Sequence, residues 1–315
     1  MSNKTITKFF AFVIFIAAAC ATGCALRSTD GRSSANVDAE RSPFGKPEIL
    51  GKVASRDITE SSGIAVSKCQ PNVFWTHNDS GDGPFIFAIG AKGDNLGTWK
   101  VRGATNVDWE DIAEFKDASG NCFIYIGEIG NNGGKHAEQT IYRVAEPLIS
   151  AETAKSDTKS PLETDAADAV KFTYPEGSLN AETLMVQPAT GDIYVLTKRR
   201  DAPSGVYKIK PEFGSTVVAE KIAEVKVPAV PNGLLTGGDI APDGKRLVIC
   251  DYFAGYELTL PANDKNFDDI WKQTPVAIDL GDRKQGEAIG YGTDGNTLFA
   301  TSEGKHSPLI EVKRK

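Results

Sequence analysis

One short phrase recurs five times between residues 62 and 291, and it leaves few folds open to the chain. The copies read Ser62-Gly63-Ile64-Ala65-Val66, Glu110-Asp111-Ile112-Ala113-Glu114, Glu182-Thr183-Leu184-Met185-Val186, Gly238-Asp239-Ile240-Ala241-Pro242 and Glu287-Ala288-Ile289-Gly290-Tyr291. Successive copies lie 48, 72, 56 and 49 residues apart. Such periods belong to stacked or radial folds in which one supersecondary unit repeats. The repeat sets Ser, Glu, Glu, Gly and Glu at one equivalent position. In a radial fold those five positions meet at the axis.

Each phrase leads into a turn and a second apolar run, at 73–77, 123–127, 193–197, 247–250 and 297–301. Turns such as Pro242-Asp243-Gly244 and Thr293-Asp294-Gly295 are hairpin signals, because glycine accepts the positive φ they need. Third runs follow at 85–89, 140–144, 205–209, 256–260 and 308–312, and fourth runs at 97–101, 170–174, 221–227 and 275–280. The last repeat has no fourth run, and Ile49-Leu50-Gly51-Lys52-Val53 is the natural substitute. The expectation is an all-β, five-bladed β-propeller of four-stranded antiparallel blades, closed by an N-terminal strand that leaves no open edge. An insertion at about 145–169, with room for a short helix, accounts for the 72-residue interval.

The first residues stand apart from this pattern. Lys4 and Lys8 precede an apolar run at 9–19, too short to span a bilayer comfortably and typical of a secretory signal. Ala21-Thr22-Gly23-Cys24 resembles a lipoprotein cleavage site, with Cys20 as a competing position and ordinary cleavage as the alternative. The expected organisation is a signal peptide at 1–24 with Cys24 lipidated, a polar tether at 25–45 and one propeller domain at 46–315. That places the protein in the cell envelope, exported, touching membrane only through its lipid, and monomeric. Export permits disulfides, and Cys69 with Cys122 occupy the same turn in consecutive repeats, so they are expected to pair. Cys250 lies in an apolar run and reads as a buried thiol. The net charge of −7 and the absence of a basic stripe exclude nucleic acid as a partner.

The unusual residues gather in two sets of loops that a meander puts on one face. The loops at 77–82, 128–134, 198–200, 251–252 and 302–306 join second strands to third. Those at 106–109, 178–180 and 285–286 lead into the next blade. Such asymmetry marks a working face. Glu110, Glu182 and Glu287 would begin inner strands and point into the channel. Carboxylates roughly 6 Å apart at an effective dielectric near 20 repel by about 3 kcal/mol per pair. They must bind a cation, take up protons or be flooded with water. An oxygen-only set suits Ca2+, with Ser62, Asp111 and Asp239 as further oxygens; a wet channel satisfied by backbone amides is the alternative. Glu128, His77 and Asp251 are the candidate acids or bases for activating water. Lys198 and Arg199, with Arg200, form a basic cluster able to hold a phosphate or carboxylate. Asn78, Trp109 and His306 complete the candidate substrate-binding set, although an inner-strand Trp also packs between blades and a loop His is often idle. Gly290-Tyr291-Gly292-Thr293-Asp294-Gly295 fits a dinucleotide pattern but sits in a hairpin, and no serine-hydrolase elbow is present.

The axial pattern resembles the calcium-activated nucleotidase (apyrase) family, five-bladed propellers whose central calcium is held by Ser and Glu from successive blades. Ser62, Glu110, Glu182 and Glu287 match that arrangement, whereas Gly238 stands where a Ser would be expected. From about residue 60 to 309 the chain also resembles a widespread group of exported bacterial propeller proteins. The shared phrases are Thr76-His77-Asn78-Asp79-Ser80-Gly81, Asn106-Val107-Asp108-Trp109-Glu110-Asp111-Ile112, Gly127-Glu128-Ile129-Gly130-Asn131-Asn132 and Thr301-Ser302-Glu303-Gly304. The first resemblance implies a metal; the second implies a fold and little chemistry. Two functions fit these readings. One is a metal-dependent hydrolase of phosphoesters, phosphoanhydrides or related esters. The other is a non-enzymatic envelope propeller with structural calcium, docking a protein, glycan or small molecule on its upper face.

Overall fold

The computed structural model describes residues 42–200, 202–227 and 234–315. The expected signal peptide, the candidate processing sites at Cys20 and Cys24 and most of the expected tether lie outside the described residues. None of the helices among those residues is long and apolar enough to cross a membrane.

Five sheets surround one axis as a five-bladed β-propeller. Blade 1 runs outward through Ser61–Val66, Val73–Asn78, Phe85–Gly90 and Asn95–Arg102. Blade 2 uses Trp109–Lys116, Cys122–Glu128, Gln139–Ala145 and Asp168–Thr173. Blade 3 uses Ala181–Val186, Ile193–Thr197, Ser204–Ile209 and Glu220–Val225, and blade 4 Gly237–Ile240, Arg246–Cys250, Ala254–Thr259 and Val276–Asp279. Blade 5 has Gly286–Tyr291, Thr297–Ser302 and Pro308–Lys313 from the C-terminal end and Glu48–Lys52 from the N-terminal end. That last pairing closes the ring, as the missing fourth run required.

Two blades are wider than the repeat implies. The insertion contains a short 3-10 helix, Thr153–Lys155, and then a strand, Leu162–Ala166, which adds parallel to the outer strand of blade 1. Thr216–Val218 likewise adds parallel to blade 2. Each extra strand comes from chain belonging to the following repeat, so it ties neighbouring blades at their rims. The packed chain also begins before the expected residue 46. Phe44 is buried and bridges to Arg314, and the Gly45 N–H donates to the Lys313 carbonyl.

The core is divided as a radial fold demands. Five apolar clusters fill the five gaps between adjacent blades. Innermost strands are therefore buried along both faces, whereas the outer Glu48–Lys52 and Glu220–Val225 strands carry exposed charges. The turn after the inner strand needs a left-handed residue. Gly295 supplies it in blade 5 and Asn72 in blade 1, at φ 64 and 62; asparagine is among the few L-residues that tolerate this conformation.

Inner strands are also stitched to one another by acids. Asp111 accepts from its own neighbour Ile112 N (2.8 Å) and from Leu184 N of blade 3 (2.9 Å). Asp239 does the same with Ile240 N (2.8 Å) and Tyr291 N of blade 5 (2.9 Å). Asp239, expected as a metal oxygen, therefore has each carboxylate oxygen engaged by a backbone amide, and it serves as an inter-blade clip. On the opposite rim a disulfide joins Cys69 of blade 1 to Cys122 of blade 2, while Cys250 is free and buried.

The disulfide closes a loop of 53 residues. Chain-entropy reasoning expects the Cys69→Ser, Cys122→Ser double variant to lose about 2–4 kcal/mol of stability. Thermal unfolding of the oxidised wild type against this variant measures it. Identical midpoints would mean that the apolar blade 1–blade 2 gap already supplies the whole constraint.

Candidate functional site in the axial cavity

The first residue of the phrase is not an ordinary strand residue. In blades 1, 2, 3 and 5 the pairing register slips at Ser62, Glu110, Glu182 and Glu287 respectively. Such a bulge leaves one residue out of the ladder and re-aims its side chain. Blade 4 has no slip, and Gly238 pairs squarely with Ile249. A side chain there would press on the Val248 carbonyl at 2.8 Å and on the Thr183 methyl at 3.0 Å. Blade 4 thus has no room for the axial ligand that its repeat omits.

The three bulge glutamates meet. Glu110, Glu182 and Glu287 line one cavity of about 330 Å³, together with Asp79, Glu303, Lys198 and Arg200. Asn132, Tyr252, Gln285 and Leu234 complete its wall. Ser62 does not reach it, because its hydroxyl donates to the Glu110 carbonyl at 2.6 Å and joins blade 1 to blade 2.

Each glutamate is satisfied differently. Glu182 is ion-paired with Lys198, whose ammonium also donates to the Tyr252 hydroxyl at 2.6 Å and lies 4.9 Å from that ring's centre. Burial first, then the balance against Lys198, sets the Glu182 carboxyl at about 7. Glu287 accepts from Gln285 Nε2 at 3.3 Å. Burial, and next a hydrogen bond shared with Glu303, push it up to about 9. Glu110 is the exception, since its Oε1 is buried with no hydrogen-bond partner. Burial, then the charges of Glu182, Asp79, Asp108 and Glu287, hold its carboxyl well above the ordinary range.

Two aspartates outside the phrase join Glu110. Asp79, just past the second strand of blade 1, and Asp108, just ahead of blade 2, each place a carboxylate oxygen in a group with Glu110. All three oxygens lie within 4.8 Å of one another. Burial raises Asp79 to about 6 and also raises Asp108. The donor set is oxygen only and has no zinc-type ligand. Gly130 packs so closely that a Cβ would overlap the Glu110 and Asp108 carboxyls. The residues present therefore fit a hard divalent cation. Asp82, which pairs with Asp79 in the sequence, instead accepts from Asn78 Nδ2 (2.7 Å) and Gly83 N (2.8 Å).

Most of the other candidate site residues are occupied elsewhere. His77 lies within a strand, fully buried against Trp109; its Nδ1 contacts the Asn78 carbonyl at 2.9 Å, and burial lowers it to about 4. It stays neutral inside the blade. Glu128 accepts from Val107 N (2.9 Å) and Asp108 N (2.6 Å), so it fixes a loop instead of activating water in the cavity. Asp251 is buried, accepting from Phe253 N and Ala254 N at 2.8 Å and from the Tyr256 hydroxyl at 2.9 Å. Asn78 spends its amide on Thr59, Glu60, Asp57 and Asp82. Trp109 is buried, with Nε1 on the Thr105 carbonyl at 2.8 Å. His306 sits on the surface in a left-handed turn, bonded to the Val53 carbonyl. Of the basic cluster, Lys198 and Arg200 line the cavity; exposed Arg199 is absent from its wall. The sequence signal for Asp79, Asp108 and Glu303 was their place in the working-face loops.

Comparison with known proteins adds little here. No protein-family model matches the chain, and no curated protein does. Among solved structures, a gluconolactonase from Xanthomonas campestris superposes with a TM-score of 0.44 at 14% identity. The match covers 86% of this chain and 95% of that one. Likeness at that level bears on none of the cavity residues.

The raised carboxyls carry a sign. With Asp79, Glu182 and Glu287 at about 6, 7 and 9, the folded state holds protons that the unfolded chain has released above about pH 4. Stability of the metal-free protein should therefore fall as pH rises from 5 to 9. Glu287→Gln, which mimics the protonated carboxyl, should melt at or above the wild type at pH 8 in EDTA. A Glu287→Gln protein that melts well below wild type there would show that the charged form is the one the fold requires.

Proposed function

We propose that the chain is an exported, calcium-dependent hydrolase of an anionic ester: a phosphoester, a phosphoanhydride or a related ester. One observation carries the reading. A cavity at the axis brings carboxylates suited to a divalent cation together with two cationic side chains, Lys198 and Arg200. Calcium-binding carboxylates alone would suit a structural ion; the added cations give the same cavity a means of holding an anion. The resemblance to calcium-activated nucleotidases adds a calcium near the axis, where Glu110 is the matching residue with an unpartnered oxygen.

Glu110, with its unpartnered buried oxygen, is the first residue to hold the ion. Calcium bound there would supply charge to polarise an ester oxygen. Lys198 and Arg200 would bind the anionic group, and Glu182 and Tyr252 keep the Lys198 ammonium in place. Glu287, raised to about 9 by burial and by Glu303, would hold a proton to give to the leaving oxygen, and the carboxylate so formed would recover one from the attacking water. The exposed position of Cys69 in the disulfide supports an oxidising compartment. The reading takes over from the sequence the expectation of a monomer in the cell envelope, held by a lipid at Cys24.

One observation favours the second reading, a binding propeller with structural calcium and a protein or glycan docked on its upper face. His77, Glu128 and Asp251 are all spent on the fold, and among the described residues no Ser or Cys lines the cavity. A panel of phosphatase, nucleotidase and esterase substrates separates the two. Calcium-dependent turnover should appear with at least one class and fall by about 100-fold or more in Glu110→Gln. Turnover indifferent to EDTA, or none with any class, would favour the binding protein.

A further inference from the structure

We infer that one divalent cation is held between blades 1 and 2, on Asp79, Asp108 and Glu110, where Asp79 and Glu110 form the edge of the cavity, and that Lys198 occupies the blade 3 side in place of an ion. This rests on the reading above and specifies where its metal sits; the ring of axial glutamates is not the ligand set.

The first observation is spacing. The three residues each place a carboxylate oxygen within 4.8 Å of the others, near enough for one divalent cation with oxygen ligands to draw on all three. The second observation is independent of spacing. Glu110 Oε1 is buried and has no hydrogen-bond partner, although buried polar atoms are normally satisfied. Glu110 belongs to this same group of three.

The remaining axial positions are closed to an ion by what already binds them. Glu182 gives one oxygen to the Lys198 ammonium and the other to Asn180 Nδ2 at 3.4 Å. Glu287 is held by Gln285 and Glu303. Ser62 donates its proton to a carbonyl, and Gly238 has neither side chain nor space for one. Lys198 thus supplies, as part of the chain, the positive charge that the blade 3 carboxylate would otherwise draw from solution.

The loop carrying Asp108 is built to stay put. Glu128 takes the N–H groups of Val107 and Asp108, and Gly130 N donates to the Asp108 carbonyl at 3.1 Å. Asn106 Nδ2 reaches across to the Asp79 carbonyl at 2.9 Å, joining the two loops that bring the aspartates together. Asn106 and Glu128 are positioning residues for the ion site, which gives Glu128 a role that does not involve substrate.

Calorimetric titration of the full, EDTA-stripped chain with Ca2+ tests this. One ion per chain is expected, with affinity down by at least about tenfold in Asp79→Asn and in Asp108→Asn, and little changed in Glu182→Gln. Both aspartates are only partly buried, and melting in EDTA checks that both variants are folded. The opposite pattern, Glu182→Gln abolishing binding while Asp79→Asn binds as wild type, would move the ion to the axial ring and overturn the assignment; so would no binding of Ca2+ or Mn2+ at millimolar concentration. Binding at the inferred site without ester turnover would remove the hydrolase and leave the site. Turnover without bound metal, by contrast, would remove the site's catalytic part.

Discussion

Five inner strands packed side by side around one axis impose the condition that the rest of the molecule answers. They approach so closely that Gly63 admits no side chain beside Asp111 and Ile112, and Gly290 none beside the Ile64 carbonyl. Backbone amides and carbonyls on these strands cannot reach water, and each must find a partner. Asp111 and Asp239 resolve part of that need by accepting amides from the neighbouring blade. Acids near the axis are therefore required by the ring itself, before any question of function arises.

That requirement separates two kinds of buried carboxylate. Those one residue into the phrase, Asp111 and Asp239, are saturated by backbone donors and hold the ring together. Those at the bulge, Glu110, Glu182 and Glu287, are turned out of the ladder into the cavity. Adjacent residues of one strand thus serve structure and chemistry respectively, and the register slip makes the difference. Within the second kind the partners grade from a lysine, through a second carboxyl, to none, and the unpartnered oxygen of Glu110 marks where a ligand has most to gain.

The radial architecture was legible because its signal repeats: phrase, hairpin turn and second run recur five times, and the missing fourth run pointed to Glu48–Lys52 as the closing strand. The convergence of Glu110, Glu182 and Glu287 followed from that symmetry. What the sequence concealed was everything that does not repeat. Leu162–Ala166 and Thr216–Val218 are short, add parallel at the rims and belong to no repeated run. His77 read as a loop residue because the run it ends continues one position further, into a gap filled by Trp109. Glu128 and Asp251 have the residue type of a general base, and only their hydrogen bonds show that backbone amides claim them. Asp79 and Asp108 belong to loops of different blades, and no spacing along the chain announces that they meet.

Gly238 shows how a departure from the repeat can be informative in itself. A fourth axial carboxylate would have added to a cavity already lined by Asp79, Glu110, Glu182, Glu287 and Glu303. At an effective dielectric near 20, each additional like charge at about 6 Å costs on the order of 3 kcal/mol per neighbour. Blade 4 contributes no such charge, and its inner strand runs without a bulge because it has no side chain to re-aim. Its other residues reduce the repulsion instead: Tyr252, just past its second strand, carries the hydroxyl that helps fix Lys198 beside Glu182. The asymmetry of the ring is thus electrostatic in origin. One side concentrates carboxylates on Asp79, Asp108 and Glu110, and the other keeps an ammonium among them, so the cavity can attract a cation and an anion at separate places within the same few ångströms.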